Sequence, residues 1–210
     1  MFGTSKSATL PRMLLPDGQV RKTRKSSSEL GQAHELTFSC YHRMPLLSKD
    51  RTRQWVVDAL DQARRSLQFD LWAYVIMPEH VHVLLLPRTE PYDVAKILKR
   101  IKQPVGQRAI AYLRKNAPAW LDHLRVTRAN GRTEYRFWQQ GGGYDRDVTR
   151  AETSWACVEY IHANPVRRGL VASPTDWAWS SARWYAGIEN AKLEMDDRPP
   201  DPPGGVCQFR

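Results

Sequence analysis

The stretch VIMPEHVHVL, residues 75–84, sets two histidines, His80 and His82, one residue apart inside an apolar run. On a strand, side chains alternate between faces, so residues i and i+2 project together, ~6.5–7 Å apart along the backbone. His80 and His82 then share one face while Val81 and Val83 enter the other. The apolar segments FDLWAYVIM (69–77) and HVHVLLLP (80–87) flank Pro78 and Glu79. So short a gap predicts an antiparallel hairpin, although Pro-Glu is not a favoured tight-turn pair. Two imidazoles aimed at one point can share a divalent metal. The pattern is weak by itself, since paired strand histidines are also found simply hydrogen-bonded or exposed.

Working outward, HELTFSCYHR (34–43) alternates as a first strand with Leu36, Phe38 and Cys40 on one side. RTRQWVVDALDQARRSL (51–67) carries Trp55, Val56, Ala59, Leu60 and Ala63 at helical spacing and reads as an amphipathic helix. PYDVAKILKRIKQPVGQRAIAYLRK (91–115) is helical in period, and Pro104 should kink or split it. YRFWQ (135–139) reads as a short aromatic strand running into Gly141, Gly142 and Gly143. AETSWACVEYIHAN (151–164) reads as a helix ended by Pro165. The order β-α-β-β-α-β-α predicts an α+β domain of ferredoxin-like plan, an antiparallel sheet with helices packed on one face.

Outside this block, residues 1–32 are polar and basic, which predicts a flexible arm. The chain from residue 189 is Pro/Gly-rich, which predicts an unstructured tail. The domain is thus expected over residues 33–188. The 210 residues carry 32 Lys plus Arg against 22 Asp plus Glu, a net +10 that suggests a polyanionic partner, usually nucleic acid. Three cysteines, Cys40, Cys157 and Cys207, show no CxxC spacing and fit reduced thiols in a cytoplasm. No apolar run approaches the ~18 residues of a membrane span, and no signal-peptide core is visible.

A third ligand and a reacting group are offered by VEYIHANPVRRG (158–169), where Tyr160 and Asn164 stand four apart on one helix face. His162 lies between them, turned to a different face. Singly, Tyr160 reads as an aromatic at the core's edge, and Asn164 as a residue common before a helix-ending proline.

Taken in order, MPEHVH, FWQQGGGYDRDV, VEYIHANPVRRGLV and DWAWSSARWY resemble the REP-associated tyrosine transposases, relatives of single-strand transposases with an HUH motif (His, hydrophobic, His). The resemblance spans residues 34–185. It implies a ferredoxin-like fold whose central strand carries the metal-binding His80 and His82. It further implies a helix bearing the nucleophile, Tyr160, with a polar ligand one turn on, Asn164. Related transposases commonly place a glutamine at that last position; asparagine is shorter but offers the same amide oxygen. The implied cofactor is Mg²⁺ or Mn²⁺, and the implied substrate is single-stranded DNA bearing a palindromic hairpin, cut near its foot. The resemblance leaves monomer and homodimer both open.

The remaining cations and rings suit such a substrate. Lys96, Lys99, Arg100 and Lys102 cluster before Pro104, with Arg108 beyond it. Ile97, Leu98 and Ile101 should face the sheet, leaving the lysines to solvent. Phosphate contacts from such residues give affinity without sequence information. Arg146, Arg167 and Arg168 stand close in sequence to the presumed site. Trp138, Tyr144, Trp177, Trp179 and Trp184 are candidates for stacking on unpaired bases. The competing readings are a nucleic-acid-binding regulator that no longer cuts, and a histidine-based hydrolase of a small substrate. The second lacks the Asp, Glu or further His ligands such sites use.

Overall fold

A computed structural model describes residues 31–201. The residues 1–30 of the basic arm and 202–210 of the tail, with Cys207, lie outside the described residues. Strand β1 (Ala33–Ser39) leads through a turn at Tyr41–Arg43 into α1 (Asp50–Leu67). The hairpin β2 (Phe69–Ile76) and β3 (His80–Pro87) follows, then α2 (Val94–Asn116). A small ribbon, β4 (Arg125–Thr127) and β5 (Thr133–Tyr135), precedes β6 (Tyr144–Val148), α3 (Ala151–Arg167) and the short α4 (Ala182–Tyr185).

The four-stranded sheet has the order β2-β3-β1-β6 with antiparallel neighbours throughout, the ferredoxin-like arrangement. Leu36, Phe38, Val81 and Val83 point to one face, where α1 and α2 pack together. On α1 the face carrying Val56, Leu60 and Ala63 is buried. Burying a side chain such as Leu60 is worth roughly 1.5–3 kcal/mol. The expectation of helices on one face holds for α1 and α2. Helix α3 lies across the other face, over Glu35 and His82.

The first strand ends at Ser39, short of the expected residue 43, because the chain turns at Tyr41–Arg43, and four further boundaries differ from the sequence reading. The fourth sheet strand is YDRDV at 144–148, not YRFWQ. An edge strand with three charges lacks an apolar signature, whereas Phe137 and Trp138 are buried core rings, joined to the end of β1 by an isolated bridge between Trp138 and Cys40 and not by a ladder. Helix α2 runs unbroken through Pro104, which forfeits one hydrogen bond while Ile101, Val105 and Ala109 keep the helix on the core. Helix α3 continues past Pro165 to Arg167, since a proline in the last turn costs a single bond. The chain after residue 189 is not loose as far as the description reaches. Leu193 and Met195 are buried, Asp196 accepts from the Leu71 N–H at 3.0 Å, and the Pro200 carbonyl accepts from Trp155 Nε1 at 3.0 Å.

The free edge of β2 is covered by the segment around Trp179 to Ser181. Ile76 N–H donates to the Trp179 carbonyl and Ser181 N–H to the Tyr74 carbonyl. Covering an edge removes a row of unpaired backbone groups that would otherwise invite association. Among the described residues no helix is long and apolar enough to cross a membrane.

Candidate functional site

Register alone gathers the site. Thr37 pairs with His82, Ser39 with His80, Tyr144 with Thr37, and Arg146 with Glu35. Directly opposed residues share a face, so all of these look toward α3. Strand β6 can reach β1 only because residue 143 is glycine. It sits at φ +76°, and a Cβ there would lie 2.0 Å from the Thr37 carbonyl oxygen. Helix α3 contributes Tyr160 and Asn164 from successive turns. Together with Arg43, Arg167 and Arg168, these side chains line one cleft of about 670 Å³.

Within it the rings of His80 and His82 are 4.7 Å apart between centroids, and the Tyr160 ring meets His82 edge-on at 5.6 Å. Tyr160 is 40% exposed, the histidines 5% each. The phenol is therefore on the cleft surface beside the imidazoles, not in the core. The Arg167 guanidinium lies 5.1 Å from the Tyr160 ring centroid. Asn164 donates its amide N–H to the Tyr160 carbonyl at 2.9 Å, which leaves Oδ1 as its remaining polar atom.

The imidazoles are oriented from behind. His80 Nδ1 stands 3.2 Å from Glu79 Oε1, and Arg168 Nη1 donates to the same oxygen at 2.7 Å. An ionised carboxylate only accepts, so the proton of neutral His80 belongs on Nδ1 and Nε2 is bare. His82 Nδ1 stands 2.7 Å from Thr37 Oγ1, a hydroxyl that can donate or accept and so suits either tautomer. Burial pushes the His80 imidazole below its usual range, opposed by Glu79. Burial, helped by His80 and Arg43, pushes His82 down to about 3. Both rings are neutral at physiological pH, the state in which imidazole binds a metal.

The two Nε2 atoms are 3.0 Å apart. That is one N–H···N hydrogen bond, or equally the edge of an octahedron with bonds of ~2.1 Å. With Asn164 Oδ1, which lines the same cleft, the donor set is neutral, two borderline imidazole nitrogens and one hard amide oxygen, and suits a divalent ion without selecting which. A second group, His34, Asp145 and Asp147, could also hold a metal ion. There the His34 Nδ1 is 3.1 Å from Asp145 and 3.3 Å from Asp147, and its Nε2 is 3.0 Å from the Tyr92 hydroxyl. Strand alternation puts His34 on the α2 face, across the sheet from Tyr160.

The cations and rings proposed from sequence divide. Tyr144, Arg146, Arg167 and Arg168 line the cleft, Arg146 donating to Glu35 at 2.7 Å. Lys96, Lys99 and Arg100 are exposed on α2. Lys102 is not solvent-facing as expected: its Nζ donates to the Gly141 carbonyl at 3.0 Å, and burial lowers its pKa. Arg108 pairs with Asp58 at 3.1 Å. Trp138 is no open platform; it is 9% exposed and its indole N–H bonds the Lys102 carbonyl. Trp177 and Trp179 are likewise occupied, bonding Ile76 through side chain and backbone respectively, while Trp184 packs on Tyr185.

Glu79, Glu35, Thr37 and Arg43 escaped the sequence reading. Glu79 had one signal: the unfavourable Pro-Glu turn immediately before the histidines. Arg43 had none. It holds φ +53°, where non-glycine residues are uncommon.

No protein-family model matches the chain. A curated Haemophilus influenzae protein named REP-associated tyrosine transposase is 26% identical over 144 residues, covering 65% of this chain and 76% of the relative. A solved REP-associated tyrosine transposase bound to a REP hairpin aligns over 90% of this chain and all of that one, with TM-score 0.60 and 18% identity. That second likeness speaks for the fold. The chain is thus similar in sequence, over 65% of its length, to one protein named as a REP-associated tyrosine transposase, and similar in fold, over 90% of it, to another.

Proposed function

We propose that the protein is a metal-dependent single-strand DNA endonuclease and strand transferase. On this reading it recognises a palindromic hairpin and cuts beside it through Tyr160. The observation that carries the proposal is the exposed phenol of Tyr160 beside two buried neutral imidazoles whose Nε2 atoms are 3.0 Å apart. Such a set serves no purpose in a protein that only binds DNA. The hairpin follows from the relatives, one of which was solved with a REP hairpin.

A tyrosine hydroxyl is a weak nucleophile at neutral pH and depends on being placed against an activated phosphate. His80, His82 and Asn164 would hold Mg²⁺ or Mn²⁺, which withdraws charge from the phosphate oxygens and steadies the departing oxygen. Neutral ligands leave the ion's charge undiluted. Arg43, Arg167 and Arg168 hold the phosphodiester, and Arg146, fixed by Glu35, borders it. Tyr160 Oη forms the new bond to phosphorus as the bond to the 3′ oxygen breaks. The phenolic proton is balanced by the one the 3′-hydroxyl gains. The product is a 5′-phosphotyrosine ester, so the bond is conserved for rejoining to another 3′ end.

The test is incubation with labelled hairpin DNA and Mg²⁺ or Mn²⁺, followed by denaturing electrophoresis. A denaturation-resistant protein–DNA adduct is expected. Retarded DNA with no adduct would instead identify a binder that does not cut.

A further inference from the structure

The two cleft histidines are held from behind by different kinds of group. His80 Nδ1 meets a carboxylate oxygen of Glu79 at 3.2 Å, and Arg168 pins that oxygen at 2.7 Å. His82 Nδ1 meets the Thr37 hydroxyl at 2.7 Å. Register sets this second pair, since Thr37 and His82 stand directly opposite each other on β1 and β3. A carboxylate only accepts, whereas a hydroxyl donates or accepts as its hydrogen turns.

That difference decides where the hydrogens lie. A neutral imidazole carries one N–H, and the bond made by one nitrogen sets the state of the other. His80 keeps its hydrogen on Nδ1, facing Glu79. Its bare Nε2 lies 3.0 Å from His82 Nε2 and can only accept, so in the metal-free protein His82 carries its hydrogen on Nε2 and its Nδ1 accepts from Thr37. Holding an ion through both Nε2 atoms demands the opposite at His82: a bare Nε2, a hydrogen on Nδ1, and a Thr37 oxygen that accepts. One hydrogen leaves Nε2 for water and one reaches Nδ1 from water, so the ring stays neutral and no net proton is released. Thr37 is half-buried and lines the cleft, where its own hydrogen can turn toward water. His80 needs no such change.

We infer that Thr37 is a positioning residue that lets His82 exchange tautomers as the ion enters, donating to Nδ1 beforehand and accepting from it afterwards. This rests on the metal site of the function proposed above. A group that only accepts would fix the hydrogen on Nδ1 permanently, as Glu79 does for His80. A group that does neither would leave a buried N–H unpaired once the ion is bound, and such a donor is costly to strand. Thr37 thus governs the ion's affinity without touching it.

The experiment records nitrogen–proton correlation spectra of the full-length protein with isotopically labelled histidines, without metal and then with Mg²⁺, a diamagnetic ion. The signals missing from His82→Ala identify His82. Its metal-free ring should be protonated on Nε2 and bare on Nδ1. Mg²⁺ should reverse the two nitrogens, while His80 keeps its hydrogen on Nδ1. Thr37→Val is nearly isosteric but can neither donate nor accept. Its Mn²⁺ affinity by calorimetry should fall about 10–100-fold, the loss typical of groups that orient a metal-binding histidine. Mg²⁺ at the concentration that converts the wild type should leave His82 of this variant protonated on Nε2. Thr37→Ser restores the hydroxyl and should recover both the exchange and the affinity, to within about twofold. A His82 already protonated on Nδ1 without metal, a tautomer unmoved by Mg²⁺, or Thr37→Val with wild-type affinity and exchange overturns the inference. Adduct formation on hairpin DNA is scored separately and reports on Tyr160, so a protein that cuts DNA but keeps one His82 tautomer fails here alone.

Discussion

His80 and His82 face each other through Nε2 atoms 3.0 Å apart, and Glu79 dictates that the His80 nitrogen is bare. The contact is satisfied either by the Nε2 proton of neutral His82 or, on the function proposed above, by a metal ion in its place. Titration with Mn²⁺ to ~100 times its Kd should stabilise the fold by about 2.7 kcal/mol, read as a rise in Tm. His82→Ala should lose that rise. Asp145→Asn, altering the other possible cation group, should keep it; the reverse pattern would place the ion at His34.

Tyr160→Phe removes one oxygen from an exposed ring and should leave the fold unchanged. Adduct formation with a hairpin oligonucleotide should drop by at least about 10³-fold while hairpin affinity stays within about twofold. A covalent adduct still formed by the variant at the wild-type rate would falsify the nucleophile assignment.

Glu79→Gln tests the support behind His80. It removes the obligate acceptor that fixes the tautomer and the ion-pair partner of Arg168. Mn²⁺ affinity should weaken about 10–100-fold, as for other groups that orient a metal-binding histidine. Excess Mn²⁺ should recover most of the cleavage. Unchanged affinity, measured by calorimetry, would show that Glu79 serves only the turn.

Gly143→Ala should cost more than a typical surface change. Its Cβ would lie 2.0 Å from the Thr37 oxygen at a φ of +76°. A loss of about 2–4 kcal/mol in denaturant unfolding is expected. DNA binding should fall as well, because β6 carries Tyr144 and Arg146 into the cleft.

His162 should govern part of the acid sensitivity. It is 4% exposed, its Nε2 is 2.8 Å from Ser181 Oγ, and burial pushes it from 6.5 down to about 3. The folded state refuses a proton that the unfolded chain accepts. Its stabilising contribution is therefore intact above pH 6.5 and is lost as pH falls from there toward 3. At pH 5 the loss from this residue is about 2 kcal/mol. His162→Gln should flatten the decline in Tm between pH 7 and 5, and an equally steep decline would exclude this origin.

The sequence by itself determined the elements whose pattern is local. Alternation in VIMPEHVHVL put both histidines on one strand face, helical spacing put Tyr160 and Asn164 on one helix face, and the ordered motifs pointed to the transposase relatives. Tertiary structure decided what depends on partners distant in the chain. Strand β6 has no apolar pattern because it lies at an edge, and only its register against β1 makes it a strand. Leu193 and Met195 are too few among prolines and acids to announce a packed segment, yet the core receives them. Whether Lys102 meets solvent or a glycine turn, and whether Trp138 stacks on bases or on Phe38, rests on contacts spanning 36 residues or more. Periodicity reports which side of an element is apolar. It carries no information about which distant backbone will come to lie against the other side.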